Sequence, residues 1–128
     1  MARFLKLATG FVALVALAGF SAGASATEAP LGKKLFHKRC GECHTATPGD
    51  NRVGPSLWGV VGRTSGTAPG YDYSLNNRKD KIVWTVEVLE EYLVNPTHVV
   101  PGTKMTLFRG VKDPSEVAAI VEYLEQLK

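Results

Sequence analysis

Cys40-Gly41-Glu42-Cys43-His44 is the run on which the reading of this chain turns. The cysteines stand three residues apart, so on one helical turn their thiols project toward one face. His44, next in line, brings an imidazole whose two nitrogens can divide the work. One can coordinate a metal while the other donates a hydrogen bond that fixes tautomer and ring orientation. Two thiols on one face can add to the two vinyl groups along one edge of a haem, and His44 then lies over the iron. In an exported chain, Cys-x-x-Cys-His is the attachment signature of a c-type haem. Three other uses of the cysteines compete. A thioredoxin-like dithiol wants a strand before the first cysteine, and none precedes Cys40. A structural zinc needs four ligands, and the chain offers two Cys and three His with no second paired cluster. A disulfide suits an oxidising compartment but leaves His44 without a role.

The context for export is at the N-terminus. Residues 1–26 read as a signal peptide, with Arg3 and Lys6 as the basic start, an apolar stretch over residues 7–20, and Ala24-Ser25-Ala26 as the small-residue cleavage site. Thr9, Gly10 and Gly19 interrupt the stretch, which favours removal over retention as a membrane anchor. Cleavage after Ala26 takes 26 of the 128 residues and leaves 102, residues 27–128. That is one small domain with little capacity to bury a core of its own, and a large apolar cofactor would help it fold. Loss of Arg3 and Lys6 takes the 15 basic residues to 13, against 12 acidic ones, a net charge of +1. Such a balance gives no electrostatic footing for nucleic acid.

Around the motif the pattern is helical. Leu31, Leu35 and Phe36 form an apolar stripe that predicts a helix from about Leu31 into the motif, decorated by Lys33, Lys34, Lys38 and Arg39. A second helix is predicted from Thr85 to Asn95, with Val88, Leu89, Tyr92 and Leu93 on one face and Glu87, Glu90 and Glu91 largely on the other. Asn95-Pro96 stops it. The last helix has the clearest start: Asp113 as cap, Pro114 in the first position, and Glu116 reaching back to complete a capping box. Val117, Ile120, Val121 and Leu124 then form its buried face. No strand alternation and no repeat is visible, so the domain reads as all-α. Between the first two helices lie about forty residues rich in Gly, Pro, Asn, Ser and Thr, a poor loop for an ordinary domain of this size. It makes sense if it wraps a haem that takes the place of a core.

A second axial ligand is the remaining question. Met1 leaves with the signal peptide, so Met105 is the only thioether of the mature chain. It follows Val100-Pro101-Gly102-Thr103-Lys104, whose Pro and Gly fix a bend that can aim the sulfur inward. A thioether favours ferrous iron and raises the reduction potential. His98 is the rival donor and His37 a weaker one, both suited to solvent-facing positions.

Taken in order, Gly32-Lys33-Lys34-Leu35-Phe36, the Cys40 to His44 motif, Gly54-Pro55-Ser56-Leu57, Gly62-Arg63-Thr64-Ser65-Gly66, Pro69-Gly70-Tyr71, Trp84, Glu91-Tyr92-Leu93-Val94-Asn95-Pro96 and the run ending at Met105 form a succession of landmarks. The succession resembles the class I cytochromes c, of the short mitochondrial and bacterial periplasmic type, over almost all of residues 31–128. The resemblance implies an all-α monohaem fold, its helices packed around a covalently attached haem with long wrapping loops, occupying residues 27–128. It implies one haem c attached through Cys40 and Cys43, with His44 and Met105 as the iron ligands. The Pro55 carbonyl would accept the hydrogen bond from His44. Arg63, Tyr73, Ser74 and Trp84 would surround the haem propionates, and Asn77, Tyr92 and Thr103 would form the polar network behind the methionine. Gly32 and Phe36 would pack against Tyr123 where the first and last helices cross. Two departures stand out: the loop from His44 to Pro55 is about one residue shorter than the mitochondrial pattern, and one extra residue lies between Met105 and Gly110.

By the same resemblance the protein is a periplasmic one-electron carrier and not an enzyme. Its partners would be membrane or periplasmic redox proteins such as a cytochrome bc complex, a terminal oxidase, a reaction centre or a dehydrogenase, met as a monomer. Lys33, Lys34, Lys38, Arg39, Arg52 and Lys104 form a candidate basic docking patch, against which Glu42 argues mildly. The alternative from another class is an enzyme or sensor in which Met105 dissociates and the open iron binds peroxide or a gas.

Overall fold

The computed structural model describes residues 28–128, and the signal-peptide reading of residues 1–26 lies outside them. Its helices are α1 (Glu28–Arg39), α2 (Leu75–Lys79), α3 (Val86–Val94), α4 (Pro96–Val99) and α5 (Pro114–Glu125). Among the described residues there is no strand beyond an isolated antiparallel bridge between Thr64 and Val83.

The first and last helices cross and form the main packing contact of the molecule, and α3 packs on α5 beside them. Close approach at the crossing depends on Gly32. A Cβ there would collide with the Ala119 carbonyl and press on the Tyr123 Cβ at 2.8 Å. Phe36, one turn on, is 1% exposed and meets the Tyr123 ring at 5.4 Å between centroids. Ile120, Val121 and Leu124 close the seam from the α5 side. Burial of a side chain such as Phe36 contributes about 1.5–3 kcal/mol, so this seam supplies much of what a domain this small can gain. Leu31 departs from the expected stripe. It is exposed, and the buried face of α1 is Gly32, Leu35 and Phe36.

Helix ends follow local chemistry. Thr85 caps α3 by accepting from the Val88 N–H at 3.3 Å, and Asn95 ends it. Pro96 then opens the short α4 at the position where a missing N–H costs nothing. At α5 the Asp113 carboxylate accepts from the Ser115 N–H at 2.8 Å, as a cap should. Glu116 does not complete the capping box in return. Its carboxylate turns to Arg39 at the end of α1, 2.6 Å away, tying the two helices across the crossing.

The long segment between α1 and α3 is less structureless than its composition suggests. Ser74 caps α2, which the sequence pattern did not reveal because five residues hold no helical period. Further backbone pairing joins the Ser65 N–H to the Ile82 carbonyl at 2.6 Å, the Gly62 N–H to Trp84 at 2.8 Å and the Trp84 N–H to Arg63 at 2.9 Å. These bonds bring Arg63 and Trp84, 21 residues apart in sequence, to one wall of a cavity.

Candidate functional site

The chain leaving α1 continues as a tight turn through the motif. Cys40 N–H donates to the Phe36 carbonyl at 2.8 Å, and the Cys43 and His44 N–H groups both donate to Cys40, at 3.0 and 2.9 Å. The thiols and the imidazole thus face one cavity. Both cysteines are free. Burial, reinforced by the neighbouring Cys43, pushes the Cys40 thiol up to about 12.

His44 is buried and held by a short hydrogen bond. Its Nδ1 lies 2.7 Å from the Pro55 carbonyl oxygen, which can only accept, so Nδ1 carries the proton. Nε2 keeps its lone pair. Burial moves the ring's pKa down, with the Pro55 carbonyl opposing and the Arg63 charge assisting, and the net direction favours a neutral imidazole able to ligate. Gly54 makes the arrangement possible, since a Cβ there would lie 2.6 Å from His44 Nδ1.

Across the cavity lie the polar groups expected near an anion. Arg63 donates from its two terminal nitrogens to the Trp58 carbonyl at 3.1 Å and the Ser56 carbonyl at 3.2 Å. Its Nε is buried and has no partner, a donor that calls for an acceptor. Burial holds its pKa below the usual guanidinium range. The Tyr73 hydroxyl accepts from the Ala68 N–H at 3.2 Å and Ser74 Oγ accepts from the Asn77 N–H at 3.3 Å. Each therefore retains a hydroxyl proton to donate. Trp84 and Tyr92, with ring centroids 4.9 Å apart, form the apolar wall.

The wall carrying Met105 has its own network. Tyr92 OH and Thr103 Oγ1 are 2.8 Å apart and buried, and the buried Asn77 lines the same cavity. The Met105 N–H donates to Thr103 Oγ1 at 3.3 Å. Lys104 beside it reaches the Asp72 carboxylate at 2.8 Å, and Asn76 reaches the Pro101 carbonyl. All twelve residues named from the sequence as cofactor-binding border this one cavity: Cys40, Cys43, His44, Pro55, Arg63, Tyr73, Ser74, Asn77, Trp84, Tyr92, Thr103 and Met105. His37 and His98 are exposed and do not line it.

Sequence reasoning missed Asn51, whose side chain bonds Ser56 and Pro69, and the Tyr71 hydroxyl, which donates to the Val53 carbonyl at 2.7 Å. Tyr71 stood among the landmarks without a role, and Asn51 in a Gly/Pro-rich loop gave only the general signal of a turn residue. The basic patch also changes character. Arg39 pairs with Glu116, Arg52 with Asp50 and Lys104 with Asp72, while Lys33, Lys34 and Lys38 stand exposed along α1.

A helical crossing, a polar loop wrapped on a cavity, and two thiols with a neutral imidazole on one wall define a haem-binding domain of the class I cytochrome c type. The chain belongs to the cytochrome c family, whose model matches residues 29–128. It is 56% identical over 97 residues to the cytochrome c2 of Rhodopila globiformis, covering 76% of this chain and 91% of that one. It is 50% identical over 101 residues to the cytochrome c of Euglena viridis, covering 79% and 98% respectively. Among solved structures, cytochrome cH from Methylobacterium extorquens superposes with a TM-score of 0.70 at 40% identity, over 77% of this chain and 97% of that one. Proteins of this family are electron carriers rather than enzymes and bind one covalent haem c, and Cys40 and Cys43 fit its attachment. The cavity suits that group: free thiols, an available His44 Nε2, and a partnerless Arg63 Nε where a carboxylate would sit.

Proposed function

We propose that this protein is an exported, monomeric one-electron carrier whose haem iron is held between His44 and Met105. The observation that carries the reading is the division of His44, with Nδ1 committed to Pro55 at 2.7 Å and Nε2 left for the same cavity that Met105 lines. Bound haem supplies a reversible one-electron couple at its iron. The chain's part is to hold that couple in one geometry in both oxidation states. Pro55 keeps the imidazole oriented, and Tyr92 and Thr103 anchor the backbone beside Met105 from behind. Arg63, Tyr73, Ser74 and Trp84 would meet the propionates with donors, offsetting the cost of holding carboxylates away from water. With His44 and Met105 both serving as ligands, the chain would leave no position open to a substrate.

Signal-peptide removal after Ala26 would deliver the mature chain to the periplasm. No helix among the described residues is long and apolar enough to cross a membrane. The partners would be redox proteins such as a cytochrome bc complex, a terminal oxidase, a reaction centre or a dehydrogenase. Lys33, Lys34 and Lys38 would supply the salt-sensitive part of the encounter. The test is a redox titration of the purified holoprotein alongside cyanide and carbon monoxide binding at neutral pH, with cell fractionation for location. A single one-electron wave without rapid ligand binding supports the carrier. Rapid binding to either oxidation state contradicts it and points to an enzyme or sensor.

A further inference from the structure

The Pro55–Ser56 peptide unit is used from both ends. Its carbonyl accepts from His44 Nδ1 at 2.7 Å, and its N–H donates to Asn51 Oδ1 at 3.0 Å. The amide of Asn51 then donates through Nδ2 to the Pro69 carbonyl at 2.9 Å. The surroundings fix which way the amide points, because Ser56 offers only a proton and Pro69 only lone pairs. Ser56 is 3% exposed, so water is a poor substitute for Asn51. The loop is steadied beside this point by Tyr71, whose hydroxyl donates to Val53 at 2.7 Å, and by the Gly54 N–H, which donates to Cys43 at 2.8 Å.

A peptide group is one conjugated unit. Donation from its N–H draws electron density toward its oxygen and makes that oxygen a better acceptor, which is how hydrogen bonds in series strengthen one another. A better acceptor at Pro55 pulls harder on the Nδ1 proton of His44 and leaves Nε2 more basic. A more basic axial imidazole favours ferric iron.

We propose that Asn51 is a positioning residue that lowers the haem potential through the Pro55–Ser56 peptide, acting on His44, which it does not itself touch, through the bond it accepts from the Ser56 N–H. The proposal rests on His44 being an iron ligand. Its test uses the haem-loaded full-length product carrying Asn51→Ala or Asn51→Asp. Both changes remove the bond to Pro69, so both lower the urea midpoint. Only Asn51→Ala removes the acceptor for Ser56, whereas Asn51→Asp strengthens it.

At a solution potential set to the wild-type midpoint, Asn51→Ala shifts the reduced-to-oxidised ratio roughly threefold toward reduced, and Asn51→Asp shifts it toward oxidised. A merely structural role admits water around the site, stabilises the charged ferric form, and moves both variants toward oxidised. Potentials that move together, or not at all, overturn the proposal. Should Asn51→Ala fail to accumulate, the His44 Nδ1 proton in the ferrous protein decides through Asn51→Asp, where a stronger bond moves it downfield and an unmoved resonance overturns the relay. A wild-type haem without histidine ligation fails on its own spectrum, before any variant is made, and so separates loss of the carrier reading from loss of the relay.

Discussion

The two walls of the haem cavity are built on different principles. On the His44 side the imidazole N–H donates to Pro55, eleven residues away, and Cys43, Thr45 and Asn51 bind backbone groups of the same loop, while Asn51 and Tyr71 add bonds across 18 residues to Pro69 and Val53. The Met105 side has one buried bond, Tyr92 to Thr103, and two exposed ones across 25 and 32 residues, Asn76 to Pro101 and Lys104 to Asp72. His44 is 7% exposed, while Met105 is half-buried and its neighbour Leu107 is 90% exposed. A segment whose side chains and outer bonds are exposed opens at lower free energy than one whose key side chain is buried. The methionine wall is therefore the one that opens first.

The largest effect expected from breaking the contrast is on the tight wall. Gly54→Ala puts a methyl group into the His44 ring, and overpacking of this kind costs about 2–3 kcal/mol. Urea unfolding of the haem-loaded variant should show that loss together with a changed axial signature. An unaltered midpoint contradicts the packing argument. Next comes the inner layer of the loose wall. Tyr92→Phe strips Thr103 Oγ1 of a buried partner at 2.8 Å and should cost about 1–2 kcal/mol. Adding Thr103→Val to it should cost less than Thr103→Val does alone, leaving only the acceptor lost to the Met105 N–H, and strictly additive losses in the double-mutant cycle speak against a shared bond.

A smaller effect is expected at Asp72, which is fully exposed and bonded to both Lys104 and Arg78. Hydrogen bonding to Lys104, then its charge, holds the Asp72 carboxyl below the usual range. The sign follows: the contribution is complete above the ordinary carboxylate pKa and is lost as pH falls through the depressed one. Asp72→Asn should lower the melting temperature slightly near neutral pH and low salt, and the difference should vanish in acid or at high salt. A difference that persists in acid assigns the effect to something other than this ion pair. The smallest stability effect, with a kinetic one in its place, belongs to Lys38→Glu on exposed α1. Folding should be untouched while electron transfer to a physiological partner slows at low ionic strength, and an unchanged rate removes α1 from the docking surface.

How much of this was readable beforehand follows the same divide. The motif, α3 and the buried face of α5 announced themselves because each is a contiguous pattern with a period or a cap, while the crossing of α1 and α5 was named through likeness to a family. Met105 was identified by being the only thioether left. Leu31 misled because an i, i+4, i+5 stripe tolerates two neighbouring faces, and Gly32, with no side chain to count, is the residue that selects the true one. Glu116 misled because its spacing suits a capping box, yet Arg39 on another helix competes for it. The α2 turn and the Asn51 bridge were invisible for a common reason. Both depend on short polar residues whose partners are set by tertiary approach, to which no local period corresponds. The cavity residues were named through likeness to a family, and only the three-dimensional arrangement brings Arg63, Trp84 and Thr103 to one space.

The central claim is that haem iron lies between His44 and Met105, and visible spectroscopy of the mature protein, made in a host that attaches c-type haem, tests it most directly. The account predicts a weak red absorption band of ferric iron bound to thioether in the wild type, lost in Met105→Ala with covalent haem retained. A wild-type protein that holds haem but lacks the band, or a Met105→Ala variant that keeps it, contradicts the account.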